Sequence, residues 1–400
     1  MRNITQEQGE HLKFSPDETL SSVLQKMEKY NVEIGIIKGS HERFLIRKFL
    51  EVASKMNLAS NPVWQFTFGR INYKKREKRD KGFLKKISEF FPEFKRVLPF
   101  LLNSKERVFL VGGSVRDIIL SIPPKEIDVM VEGDAIKFAK EVAKKTGGNV
   151  KSLHPSFGTA SLEVHGIRID LARARKDFYP SPCSDPVIKW AKAEEDPLRR
   201  DFTVNALIFD LKNALLIDVT NGLEDIEKRI ITPITPISFY EDPTRFQRGI
   251  RLAVRLGFEL SEDFLVQVEG VKKNLLMEKL PRERLFAEDK LILEEEKPSL
   301  IIKECIKLGI FNSIFPFVPP PSQKAMAEMD RAISYKGVVE KLWYLRLLIW
   351  FKEVPVEKRE KFVKKFVSAK TLSSSLISLE NLRTMQSLCP EEEIFLEKFL

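Results

Sequence analysis

Between Val108 and Val131 the chain changes its hydrophobic rhythm several times within a few turns of backbone. Val108 to Val111 is a continuous apolar run of the length of a buried strand. Gly112-Gly113 follows, a place where backbone approaches a neighbour closely or takes a positive φ. A helix start and the Pro123-Pro124 loop come next. Ile127, Val129 and Val131 then alternate with Glu126 and Asp128, which predicts a second strand with both carboxylates on one face, about 7 Å apart at Cα. Apolar residues at helical spacing from Asp134 to Lys145 predict a helix, with Asp134 as its cap and Gly147-Gly148 closing it. Phe157 to Arg175 reads as a hairpin turning at His165-Gly166. On its second strand Ile167, Ile169 and Leu171 face one way, Arg168 and Asp170 the other.

Further along, Arg173 to Glu195 is rich in Pro and Ser and has no clear period, so a long loop is expected. Asp196-Pro197 has the form of a helix start, which places Asp201 and Asn205 on one helical face beside Arg200. Asp242-Pro243 caps another helix, on which Arg245, Arg248, Arg251 and Arg255 form one stripe. Beyond Phe258 the pattern is helical. Val338 to Lys352 is apolar on most faces and therefore expected to be buried. The proline-rich stretch from Pro316 to Ser322 reads as a hinge.

The N-terminal third is less regular. Residues 1–13 are polar and unanchored. From Phe14 to Met56 a helix, an apolar strand-like run (Val32 to Gly39) and a second helix (Arg43 to Ala53) are expected. Asn72 to Lys86 is a basic run with one aromatic, either a phosphate-contacting segment or a solvated linker or helix face. A helix from Phe83 to Phe94 leads out of it. Near the other end, the basic helix from Lys358 to Lys370 is either an RNA-facing surface or a solvated one.

Composition narrows the class. Four hundred residues imply two to four domains, and 43% hydrophobic residues is ordinary for a water-soluble chain. No run approaches a membrane span, and the first residues lack the apolar core of a signal peptide. Cys183, Cys305 and Cys389 are scattered and form no C-x-x-C pair. A disulfide framework or structural zinc is not expected, and a reducing cytoplasm fits. The net charge of +10 favours a polyanionic partner. Lys/Glu-rich chains of heat-adapted organisms are charged without such a partner, and charge alone does not say which nucleic acid is bound.

Two carboxylates on one strand beside a phosphate-accepting turn point to a divalent metal with a nucleoside triphosphate. Asp170, mid-strand between Ile and Leu, is either the third carboxylate of such a site or an edge-strand charge paired with Arg168 or Arg173. Four arginines on one stripe repel one another unless an anion or carboxylates lie alongside. His154 and His165 have no metal-ligand spacing and read as surface residues.

The block G-G-S-V-R-D (112–117) followed by K-E-I-D-V-M-V-E-G-D (125–134) resembles the signature of class II tRNA nucleotidyltransferases and bacterial poly(A) polymerases, a polymerase-β-like family. R-R-D-F-T-V-N-A (199–206), I-D-V-T-N-G (217–222) and E-D-P-T-R (241–245) continue the family's order, so the resemblance runs from about Arg107 to Pro316. It implies an α+β architecture: a mixed-sheet nucleotidyltransferase head over residues 106–235, neck and body helices over 236–316, and a tRNA-binding helical tail over 317–400. Residues 61–105 are a basic linker and helix. Residues 1–60 resemble half of a cystathionine-β-synthase-type module, or are an extension without a ligand.

By the same resemblance Glu126 and Asp128 hold metal, with Asp170 the third catalytic acid and two Mg²⁺ ions expected. Gly112, Gly113, Ser114 and Arg116 hold the triphosphate, and Arg200, Asp201 and Asn205 contact ribose or phosphate. Asp242 and Arg245, buttressed by Glu241 and flanked by Arg248, read the base of CTP or ATP. Asp218 and Gly222 are architectural. The segment from Arg173 to Glu195 matches a flexible loop tied to the switch from C to A addition. The expected activity is nucleotidyl transfer to the 3′ end of tRNA (CCA, or only CC or only A), the enzyme gripping the acceptor arm. A poly(A) polymerase and an inactive RNA-binding protein are the alternatives. In one place the chain departs from the family pattern: Glu126 stands where Asp is usual.

Overall fold

A computed structural model describes residues 13–30, 34–37, 43–54, 60–61, 63–66, 75–337, 339 and 341–366. The expectations for residues 1–12, for Cys389 and for the end of the basic helix after Phe366 lie outside the described residues. The chain forms two compact units, Met1–Glu241 with Glu259–Gln267, and Asp242–Phe258 with Val268–Leu400.

The first unit opens with β1 (Lys13–Phe14), α1 (Leu20–Lys29), β2 (Ile34–Ile37), β3 (Arg43–Ile46) and α2 (Arg47–Ala53), the strands ordered β1-β2-β3. Leu20, Val23, Leu24 and Met27 of α1 are buried, the i, i+3, i+4, i+7 face of an amphipathic helix. Thr19 caps it by accepting from Ser22 N. The helix expected from Arg43 to Ala53 is half strand: Arg43–Ile46 pairs with β2 before the chain turns helical.

An eight-stranded sheet follows. Its elements are β4 (Arg76–Arg79), α3 (Lys81–Phe90), α4 (Phe94–Leu102), β5 (Arg107–Val111), α5 (Gly112–Ile119), β6 (Ile127–Glu132) and α6 (Ala135–Thr146). After these come β7 (Asn149–His154), β8 (Thr159–Val164), β9 (Ile167–Arg173), β10 (Arg175–Phe178), β11 (Val187–Trp190), β12 (Ile208–Asp210) and β13 (Leu215–Asp218). The order is β4-β13-β12-β5-β6-β9-β8-β7. Only β6 and β9 run parallel; the other neighbours are antiparallel. The apolar run of β5 sits inside the sheet, and Phe109, Val111, Met130, Ile208 and Ile217 form one buried cluster with Ala174 and Ala193. The basic stretch near Arg76 is neither linker nor helix. It is the exposed edge strand β4, where charge opposes pairing with another chain.

Local signals explain the ends of these elements. The Asp134 carboxylate accepts from Ile136 N and Lys137 N, and Gly147 closes α6 at φ 70°. The β8–β9 turn has His165 at φ 51° and Gly166 at φ 79°, the mirror-image turn that matches strand twist. Asp218 accepts backbone N–H from Thr220, Gly222 and Leu223, and a Cβ on Gly222 would lie 2.2 Å from Thr203 O. That turn is architectural, as expected: it presses α7 (Gly222–Lys228) against the Thr203 segment.

Two expectations fail here. Arg173 to Glu195 is not a structureless loop, because β10 and β11 pair as an antiparallel ribbon. Asp196-Pro197 starts no α-helix. It lies inside a 3-10 helix, Ala193–Arg199, and Arg200 is already extended. The Asp196 side chain is spent on arginines instead of on helix N–H groups.

The first unit ends with β14 (Ile230–Ile231), α8 (Ser238–Glu241) and, later in the chain, β15 (Glu259–Leu260), which pairs with β14 in parallel. The second unit is helical: α9 (Thr244–Leu256), the end of α10 (Glu262–Lys273), α11 (Arg282–Glu294), α12 (Pro298–Lys307), α13 (Phe311–Ile314), α14 (Gln323–Arg331), α15 (Leu342–Phe351) and α16 (Val356–Phe366). All ten residues of α15 are buried. Arg346 is among them and donates to the carbonyls of Met329, Leu293, Glu295 and Glu296, so its charge is not left bare. On α16 the aromatic and aliphatic residues Phe362, Val363 and Phe366 face inward and most of the lysines stay in solvent.

Candidate active site

Strand alternation and one parallel pairing build an acidic centre in the first unit. In the β6–β9 register Ile127 meets Ile169 and Asp128 meets Asp170, both acids on the same face. Glu126 stands one residue before β6. One carboxylate oxygen from each of Glu126, Asp128 and Asp170 lies within 4.8 Å of the others. Parallel strands of this kind bring two acids to one level although 42 residues separate them in the chain. Asp170 does both things considered for it: it joins the triad and pairs with Arg168, but on an interior strand, not an edge.

Burial, together with Glu126 and Asp170, pushes the Asp128 carboxyl up to about 6 against the pull of Arg200 and the Ser114 hydroxyl. Three like charges at this spacing, one of them desolvated, are the condition a divalent cation relieves. The donor set is all oxygen, which suits Mg²⁺.

The Gly112 turn lies directly against this centre. Gly112 has φ 68°, and a Cβ there would sit 2.9 Å from Arg200 Nη1 and 3.5 Å from Asp128 Oδ2. Bare backbone is therefore required for shape as well as for conformation. Ser114 is buried and its hydroxyl is committed to β6. It accepts from Asp128 N at 2.8 Å and has Glu126 O (3.0 Å) and Asp128 Oδ2 (3.3 Å) within reach of its one proton. Arg116 is buried too. It donates to Asp117 Oδ1 and to Asn205 Oδ1. Asn205 in turn donates to Asp201 Oδ1 at 3.1 Å. Asp201 and Asn205 thus meet, but around a 3-10 turn (Thr203–Asn205) and not along a helix.

Sequence reasoning missed what holds Arg200. Asp196 is fully buried and clamps two arginines, Arg200 through Oδ2 (3.1 and 2.9 Å) and Arg199 through Oδ1 (2.9 Å). Burial alone raises the Asp196 carboxyl, but Arg200 and Arg199 more than offset it and hold it below the usual range. The R-R pair four residues on was the available signal, and the helix-cap reading of Asp-Pro masked it.

In the second unit, Asp242 stands before α9. Its Oδ1 accepts from Thr244 N (3.1 Å) and Thr244 Oγ1 (2.6 Å), and Oδ2 pairs with Arg284 Nη2 at 2.8 Å. Burial raises this carboxyl, but Arg245, Arg284 and Arg248 together bring it below its ordinary value. Arg245 is buried, and Glu241 ends α8 in the first unit. The arginine stripe finds its counter-charges within the fold: Glu288 takes Arg248 (3.0 Å) and Arg251 (3.4 Å), and Glu295 takes Arg251 (3.2 Å) and Arg255 (3.6 Å). Of the two partners allowed for the stripe, carboxylates are the ones observed. Glu288 on the helix after Pro281 and Glu295 just past its end were the signal for it.

Comparison with known proteins gives the following. Residues 108–232 match the poly A polymerase head domain, and residues 257–320 match the probable RNA and SrmB-binding site of polymerase A. An A-adding tRNA nucleotidyltransferase of Aquifex aeolicus is 38% identical over 211 residues, covering 52% of this chain and 26% of the relative. One from Geobacter sulfurreducens is 34% identical over 261 residues, covering 62% and 30%. The chain therefore spans about a quarter to a third of the length of these curated relatives. A solved structure, the Thermotoga maritima CCA-adding enzyme complexed with tRNA, superposes with a TM-score of 0.59 at 27% identity, covering 79% of this chain and 76% of that one.

Proposed function

We infer that this chain, whose residues 108–232 match the poly A polymerase head domain, is a nucleotidyltransferase that adds AMP from ATP to the 3′ end of a tRNA ending in CC. The observation that carries the chemistry is the convergence of Glu126, Asp128 and Asp170 within 4.8 Å beside the Gly112 turn. The two A-adding relatives support ATP over CTP, and the tRNA-modifying activities named for all three similar proteins support a tRNA primer over RNA in general.

Glu126, Asp128 and Asp170 would hold Mg²⁺. Bound there, Mg²⁺ neutralises charge on the triphosphate and lowers the pKa of the primer 3′-hydroxyl. That hydroxyl oxygen forms a bond to the α-phosphorus as the bond to pyrophosphate breaks, its proton leaving to solvent. Gly112 and Gly113 offer bare backbone to the triphosphate, and Arg200, held by Asp196, adds a fixed guanidinium fork. Arg116 acts one step back, orienting Asn205 and through it Asp201 toward the ribose. Ser114 sets the height of Asp128. Within the second unit, Asp242 and Arg245 carry an acceptor and a donor fork, the pair of groups that reads a base edge.

The test is incubation with labelled tRNA lacking CCA, ending in C or ending in CC, and with oligo(A), each with ATP or CTP singly. One AMP added to the CC end is expected. Incorporation of CMP moves the reading to CC or CCA addition, and a lengthening oligo(A) tail moves it to a poly(A) polymerase. No incorporation on any primer overturns the enzyme.

A further inference from the structure

We propose that Arg168 is a built-in competitor for the metal: a guanidinium seated on two of the three candidate ligands that a divalent cation displaces on entry. The proposal deepens the metal-site reading above and rests on it.

Arg168 lies on β9 two residues before Asp170 and on the same face. Its Nη2 is 2.9 Å from Asp170 Oδ2, its Nε 3.2 Å from Asp170 Oδ1 and 3.5 Å from Glu126 Oε2. It has a carboxylate on either side in the sheet, since Glu163 of β8 stands opposite it in register. Glu163 pairs instead with Lys151 at 3.0 Å. Arg168 therefore turns its charge toward the acidic centre. The extra methylene of Glu126, the chain's one departure from the family pattern, lets that carboxylate meet it.

The triad thus has two arginines of different standing. Arg200 faces Asp128 and is anchored by buried Asp196. Among the described residues Arg168 is held only by the two acids themselves, and its side chain is 62% exposed. An exposed guanidinium with no other anchor swings into water at small cost. While seated, it neutralises part of the charge that attracts a cation and occupies the oxygens that would ligate it. The consequence is a site whose affinity for metal is set below what three carboxylates alone would give.

Mn²⁺ titration of the full-length metal-free chain, without nucleotide or RNA and with free Mn²⁺ read by electron paramagnetic resonance, tests this. Because the cation no longer has to break an exposed ion pair worth up to about 1 kcal/mol, up to about fivefold tighter binding is expected for Arg168→Gln. Arg168→Lys, which keeps the charge, is expected near wild type. The advantage of Arg168→Gln shrinks as salt is raised, because an exposed charge is screened; a merely structural effect would not follow salt. Binding by Arg168→Gln equal to or weaker than wild type overturns the proposal while leaving the metal site standing. If wild type shows no Mn²⁺ binding that Asp128→Asn removes, the metal site itself fails, and the proposal with it.

Discussion

Asp128 is held in a state that favours binding over stability. Its carboxyl titrates near 6, above the ordinary 3.8, because it is desolvated beside two other acids. Between about pH 4 and pH 6 the folded metal-free chain therefore holds a proton that the unfolded chain has lost. Stability falls as pH rises through that window, and the penalty is complete above it. Asp128→Asn removes the penalty. The metal-free variant is expected to melt higher than wild type at pH 8, by on the order of 1–3 kcal/mol, with the difference fading toward pH 4. Nucleotidyl transfer by the same variant is expected to fall more than about a thousandfold. Thermal unfolding at the two pH values and a single-turnover assay check both halves. A lower melting point at pH 8 would mean that the Ser114 and Arg200 contacts outweigh the repulsion. At this scale the acids were legible, because strand alternation announces which side chains share a face. Arg284 was not, because it matters through Asp242, a partner that chain order does not reveal, and Asp196 was masked by its helix-cap reading.

Among elements, α5 shows how a turn serves a site. Its first residue has a left-handed φ and lies against Arg200. Gly112→Ala is expected to cost about 1–2 kcal/mol from the backbone alone. It should also raise the KM for ATP, because Arg200 has to move from its place over the turn. Chemical denaturation and steady-state kinetics separate the two effects. Elements with strong periods, such as β6, α6, α9 and α15, could be read from their residues. The stretch from Ala193 to Asn205 could not. Asp-Pro and an i, i+4 polar pair are helix signals, and here the same side chains serve buried ion pairs and a 3-10 turn. The ribbon of β10 and β11 was hidden for another reason: Pro180, Pro182 and Pro186 cluster in the turn and drown the strand pattern of its short arms.

For the whole molecule, a net charge of +10 bears on encounter with a polyanion, here the proposed tRNA, more than on the grip of any one residue. With tRNA as primer, affinity is expected to drop by at least about tenfold between 50 and 200 mM salt, log-linearly in salt concentration. Filter binding across that range measures the slope, and a flat line would remove phosphate contacts from the account. The two-part architecture was legible in outline, a mixed head and then helices, because a strand-rich pattern gives way to a helical one after Asp242. Where each unit ends was not, since Glu259–Gln267 returns to the first unit after α9 has left it.

The one parallel pairing of the eight-stranded sheet, β6 with β9, also says something about the order of folding. Antiparallel neighbours can be joined by short turns, as β8 and β9 are, but parallel ones need a crossover, here α6 with β7 and β8. During synthesis, a nascent chain that has emerged only as far as β6 carries Glu126 and Asp128 with no Asp170 opposite. The ligand set is completed only after the crossover has closed, a long-range event that is intrinsically slow. The centre is therefore a product of long-range pairing, and a refolding chain is expected to gain the capacity to bind Mn²⁺ no sooner than β6 and β9 have paired.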